Sequence, residues 1–193
     1  MFEDIFELPK DKTRIWDNTV PIIAQKHSIH VYITDEVMEP SEYNELCFLL
    51  RNASPAEVFT IHLNTPGGHI DSAMMIIDAI NNSPAEIRAH LSGTVASAGT
   101  IIALACDSMY VAPYTAFMCH NYSHGAQGSG ARVKSYVDFI DKEFSQIAKD
   151  LYTGFLTDKE IDSISTNDKE IWLNTAEVQR RLTTYVPIRK RPK

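Results

Sequence analysis

The sequence lacks a basic excess, a long apolar run and a set of cysteines that could all pair. Its 18 Lys and Arg stand against 25 Asp and Glu, a formal net charge of -7. A protein that grips a nucleic-acid backbone needs a surplus of cations, so nucleic acid is excluded as the main ligand. No apolar stretch is long enough to span a bilayer. The opening MFEDIFELPKDK is acidic and lacks the basic-then-apolar layout of a secretion signal. No membrane partner is expected, and the cytoplasm is the expected setting. The three cysteines, Cys47, Cys106 and Cys119, sit among apolar neighbours and read as buried thiols in a reducing compartment.

Other absences concern chemistry. The chain contains no GxxxxGK[ST] and no GxGxxG after a strand-like run, which removes those two nucleotide-binding loops. Cys119, His120 and His124 match no standard ligand spacing, and adjacent residues on a strand face opposite sides. Neither a metal nor a cofactor is expected.

What is present is an alternation of strand-like and helix-like pieces in 193 residues, enough for one domain with a substantial core. Ile29 to Thr34, Val58 to Leu63, the run IRAHLSG and DSMYVAP read as strands. SEYNELCFLLRNA, HIDSAMMIIDAINNS and SAGTIIALAC read as helices. This order predicts βαβ units and a mostly parallel sheet, whose ligand sites lie in the turns after strands. From Ala131 to Phe155 one long helix is expected. Val133, Val137, Ile140, Phe144, Ile147 and Leu151 make a narrow apolar seam on it, suited to the domain's own core or to a partner subunit. Residues 1–28 are mixed in character and read as an N-terminal arm. The terminal IRKRPK reads as a solvated basic tail.

Two of the predicted turns carry chemistry. In SGTVASAGTIIAL, Ser97 sits among small residues at a strand-to-helix junction, which suits either a helix N-cap or a nucleophile with room for a substrate. In NTPGG, Gly67 and Gly68 mark a tight turn whose backbone N–H groups can approach an oxyanion. His120 ends the strand-like TAFMCH and is placed to act as a base. Asp168 and Glu170, in STNDKEIWLNTAEV, are candidate acids.

The ordered set NTPGG, GTVASAG, MCH and an acid before WLNTAE resembles the Clp protease proteolytic subunit, ClpP, and its relatives, which include phage-encoded proteases of that fold. The resemblance runs from about Ile29 to Glu177. It implies an α/β fold, a ClpP/crotonase-like spiral of βαβ units with a protruding long handle helix at about residues 131–155. The peptidase domain would span 29–182, with a basic tail over 183–193. By the same resemblance Ser97 is the nucleophile, His120 the base and Glu170 the acid, with Asp168 as the alternative. Gly68 and Ala98 supply the oxyanion N–H groups. The family more often has aspartate where Glu170 stands and methionine where Ala98 stands. The loop His124 to Gly130 falls where the family has a glycine-rich strand along the substrate channel.

The implied activity is a serine endopeptidase acting on unfolded or processed polypeptides inside an oligomeric chamber. The implied partners are copies of itself in a heptameric ring or stacked double ring, and an AAA+ ATPase unfoldase. Two other readings are an inactive ring subunit or scaffold, and an acyl-CoA enzyme of the crotonase fold.

Overall fold

The computed structural model describes residues 22–25, 27–123 and 127–191. Seven strands form one sheet among them: β1 (Ile22–Gln25), β2 (Ser28–Ile33), β3 (Val58–Thr65), β4 (Glu86–Ala96), β5 (Ser108–Val111), β6 (Ala116–Cys119) and β7 (Ile171–Asn174). Their order is β1-β2-β3-β4-β6-β7, with β5 also paired to β4. β1 and β7 run antiparallel to their neighbours and the other pairings are parallel. The expected α/β fold with crossover units is the observed one. Ile22–Gln25 is a correction, because residues read as part of an arm pair with β2. The rest of that arm, residues 1–21, lies outside the described residues.

The crossovers are helices. α1 (Asn44–Arg51), α2 (Ile70–Asn81) and α3 (Ala98–Ala105) cover one face of the sheet. The strands alternate accordingly: Ile29, Val31 and Ile33 of β2, Phe59, Ile61 and Leu63 of β3, and Ile87, Ala89 and Leu91 of β4 are buried. All eight residues of α3 are buried, so its small Ala and Gly positions let it lie close against the sheet. The opposite face carries a cross-strand row, Tyr32, His62, His90 and Tyr110, paired residue to residue over four strands. Ring centroids along it are 4.4, 5.1 and 4.9 Å apart.

β4 positions the functional turn. Its first half, Arg88–Leu91, pairs with β5, and its end, Thr94–Ala96, pairs with β6. The sequence pattern places the end of this strand near Gly93, yet the chain continues in extended form. Opposite β3 the register passes from Leu63↔Leu91 to Thr65↔Val95, so β4 has two residues more than its neighbour. Gly93 takes up the bend at φ +61, and the Asn64 side-chain carbonyl fills the gap by accepting the Thr94 N–H at 3.0 Å. A Cβ at Gly93 would lie 2.6 Å from that oxygen.

The C-terminal half adds α4 (Gly130–Tyr152), α5 (Asp158–Asn167) and α6 (Thr175–Leu182). The long helix is thus observed, with its seam residues Val133, Val137 and Ile140 only half-buried and Phe139 61% exposed. Leu151 and Tyr152, at its last turn, are buried. The described part of the basic end, through Arg191, is anchored rather than a solvated tail. Arg189 and Lys190 pair with Asp107, and Arg191 donates to the carbonyls of Asp150 and Thr153 at the end of α4.

Candidate active site

Ser97 lies between β4 and α3 with φ 53 and ψ -122, a conformation that side-chain-bearing residues rarely adopt. Three contacts hold it there. Its N–H donates to the Met118 carbonyl of β6 at 2.9 Å. Its carbonyl accepts the Thr100 N–H at 2.9 Å and the Thr100 hydroxyl at 2.6 Å. The small neighbours are a geometric requirement: a Cβ on Gly67 would sit 2.5 Å from Ser97 Cβ, and one on Gly99 would sit 2.5 Å from Thr65 Cγ2. The Ser97 side chain makes no N-cap bond, so the hydroxyl is left for another partner.

That partner is His120. Its Nε2 lies 2.6 Å from Ser97 Oγ, within the range of a hydroxyl donating to a neutral imidazole. The arrangement follows from pairing: β4 and β6 are adjacent, Ala96 pairs with Met118, and one residue past each strand's end the hydroxyl and the ring meet. With Nε2 as acceptor, the ring proton belongs on Nδ1. No hydrogen bond to Nδ1 is made among the described residues.

Neither candidate acid bonds to the His120 ring. Glu170 is exposed, and its carboxylate accepts the Trp172 indole N–H at 2.8 Å. Asp168, also exposed, sits in the left-handed conformation that ends α5, with φ 49. The structure therefore bonds Ser97 to His120 and bonds neither acid to the pair.

Gly67 and Gly68 have φ of +103 and +145. The Gly67 carbonyl accepts from Val37 at 2.7 Å, and His69 donates to the Val37 carbonyl at 2.8 Å. These two bonds fix the turn from both sides and leave the Gly68 N–H without a hydrogen bond among the described residues. The Ala98 N–H opens α3, where backbone donors have no partner within the helix. Gly68, Ala98 and Ser97 line one cleft together with Glu36, His69 and Asp71. A second cleft meets it at Ser97 and Ala98 and is apolar, walled by Ile70, Ile101, Ile147 and Leu151. These four residues carry no signal of their own in the sequence, because a pocket wall and a core face show the same periodicity.

Fully buried Thr100, Cys119 and Tyr152 cluster behind the pair. Burial pushes the Cys119 thiol far above its ordinary range, which removes it as a competing nucleophile. No group of three or more residues able to hold a metal occurs among the described residues. Residues 124–126 of the expected channel segment lie outside the described ones, and Gln127–Ser129 form no strand. No helix among the described residues is long and apolar enough to cross a membrane.

Comparison with known proteins places the chain in a family. The chain is 31% identical over 168 residues to the ATP-dependent Clp protease proteolytic subunit 2 of Pseudomonas aeruginosa, covering 83% of this chain and 82% of that protein. It is 26% identical over 142 residues to the ATP-dependent Clp protease proteolytic subunit 1 of Mycobacterium tuberculosis, 69% of each. A shorter match, 32% over 92 residues, links it to membrane protein NfeD1b of Bacillus subtilis, covering 47% of this chain and 21% of that protein. The family model for Clp protease matches residues 13–181, and on that extent the chain belongs to the Clp protease family.

Proposed function

We propose that this protein is a serine endopeptidase that cleaves unfolded or processed polypeptides inside a chamber built from copies of itself. The observation that carries the reading is the 2.6 Å contact between His120 Nε2 and the hydroxyl of a serine held at positive φ. His120 takes the Ser97 proton as Oγ attacks the scissile carbonyl, then returns it to the leaving amine. The Gly68 and Ala98 N–H groups receive the oxyanion, and water resolves the acyl-enzyme. Glu170 is the acid of choice for His120 Nδ1, a role that requires its carboxylate to leave Trp172. The apolar cleft beside Ser97 suits an apolar side chain of the substrate on the acyl side.

The chamber rests on α4. Its seam residues Val133, Val137 and Ile140 are half-buried in the single chain, and burial against further subunits would complete their cover. A ring of seven, single or stacked, and an AAA+ unfoldase partner belong to this reading by the family resemblance. Three buried free thiols fit a reducing cytoplasm. The second reading, an inactive ring subunit, is favoured by one observation, the engagement of Glu170 with Trp172. The crotonase-type acyl-CoA reading has no use for a bonded serine–histidine pair.

The test is fluorophosphonate labelling of the assembled oligomer at neutral pH with peptide mapping. An adduct on Ser97 that disappears in Ser97→Ala and His120→Ala is expected. An assembled oligomer that takes no label would establish the inactive subunit instead.

A further inference from the structure

Behind Ser97 and His120 lies a chain of hydroxyls that the proposed reaction does not consume. Tyr152, the last residue of α4, places its phenol oxygen 3.1 Å from Thr100 Oγ1. Thr100 in turn donates to the Ser97 carbonyl at 2.6 Å. The direction of the bonds is determined, because a threonine hydroxyl has one proton and Thr100 gives it to Ser97. Tyr152 must therefore be the donor to Thr100, which leaves its own oxygen free to accept. The His120 backbone amide and the Cys119 thiol adjoin that oxygen. Burial, above all, and the neighbouring thiol raise the phenol's pKa.

One oxygen thus stands between the two halves of the candidate centre. On one side Thr100 carries it to the carbonyl of the strained serine, and on the other it neighbours the backbone amide of the residue that carries the imidazole. Packing alone does not call for this chemistry. Thr100 is 0% exposed and Tyr152 2%, in surroundings where valine and phenylalanine would fill the same volume. Replacing both members of a buried hydrogen-bonded pair by apolar groups of like shape is often close to neutral in stability. What the hydroxyls add is a fixed geometry, since a buried network has few ways to satisfy every member.

We propose that Tyr152 is a positioning residue that, through Thr100, fixes the Ser97 turn relative to the His120 strand end and so holds Oγ and Nε2 at bonding distance. The inference rests on the serine-peptidase reading above. Its test is made on the assembled oligomer with Tyr152→Phe, Thr100→Val, the double variant and Thr100→Ser. Readouts are peptidase kcat and KM, the rate of fluorophosphonate labelling at Ser97, Tm and oligomer size.

Tyr152→Phe and Thr100→Val are each expected to lower kcat and the labelling rate by roughly five- to tenfold, the worth of one net hydrogen bond, with KM within about twofold of wild type. The double variant is expected to be no slower than the slower single, because both break the same chain. Thr100→Ser, which keeps the hydroxyl, should label at nearly the wild-type rate. A wild-type labelling rate in Tyr152→Phe would overturn the inference, as would losses that multiply in the double variant. A change confined to Tm or assembly, with labelling per assembled subunit unaltered, would also overturn it and assign the hydroxyls a purely structural role. All of these are read against a wild-type protein that labels. Failure of wild-type Ser97 to label is a separate result, which removes the peptidase reading and this inference with it.

Discussion

Glu170 stands across the ladder from His120 and bonds to Trp172. The last pair of β6 and β7 is Cys119↔Ile171, so one step further His120 faces Glu170. Trp172 lies on the same face two residues on, and its indole N–H holds the Glu170 carboxylate at 2.8 Å. The side chain that the register offers to the imidazole is thus claimed by a neighbour on its own strand.

Removing the competing donor separates the two roles. Trp172→Phe should keep or raise peptidase kcat, since it frees the carboxylate. Glu170→Gln should lower kcat by at least roughly tenfold, because an imidazole without an orienting carboxylate loses its tautomer and its charge partner. Asp168→Asn should behave as wild type. Equal activity of Glu170→Gln and wild type in a steady-state peptide assay would show that Ser97 and His120 work as a dyad.

Gly67→Ala should damage both the fold and the site. Its φ of +103 disfavours any side chain, and the new Cβ would collide with Ser97 Cβ. A loss of about 2 kcal/mol or more in denaturant melts is expected, with labelling at Ser97 strongly slowed. Gly130→Ala, where a Cβ meets nothing within 4 Å, is the matched control. It should leave labelling intact and gain up to about 1 kcal/mol.

His62 makes stability depend on mild acid. Burial lowers its pKa below 6.5, and the neighbouring His90 and His30 lower it further. The folded protein therefore takes up this proton less readily than the unfolded chain, and stability falls as the pH drops below 6.5. In thermal melts from pH 7.5 to 5.5, His62→Phe should flatten the decline in Tm. An unchanged slope would mean that the histidine row does not govern it.

Glu160 acts with the same sign in a lower pH window. The Arg181 hydrogen bonds lead a set of contacts that lower its pKa to about 2, so its contribution is present above the unfolded value of 4.5 and is lost as the pH falls toward 2. Glu160→Gln should cost about 1–3 kcal/mol at pH 7, since it leaves a buried guanidinium short of its partner. The difference from wild type should close near pH 2 in denaturant titrations.

Local signals account for what the sequence made legible. Alternation in IHVYIT and VFTIHL, the small residues about Ser97 and the seam from Val133 to Leu151 each act within a few residues, and the strands and helices they predict are observed. Long-range relations were not legible. The extension of β4 past Gly93 depends on Asn64, nearly thirty residues upstream, filling a bulge. The clasp made by Arg189, Lys190 and Arg191 depends on Asp107 and on the end of α4. The histidine row exists only through register across parallel strands. Within the site, the turn of Ser97 and the strand end of His120 follow from local pattern. The capture of Glu170 by Trp172 is a competition between two donors that spacing alone cannot decide.

The long helix behaves as a beam clamped at one end. Its last turn is held by burial of Leu151 and Tyr152 and by Arg191 across its final carbonyls. Midway, the Tyr122 hydroxyl ties to Asp141. The eleven residues from Gly130 to Ile140 reach past that stay by about 16 Å, at 1.5 Å per residue. A tilt of about 5° at the clamp would swing the far end of the helix, about 34 Å away, by about 3 Å, close to the rise of one residue along a strand. In the proposed assembly, the stiffness of the root, more than the length of the apolar seam, would set how accurately the outer turns arrive at a neighbouring subunit.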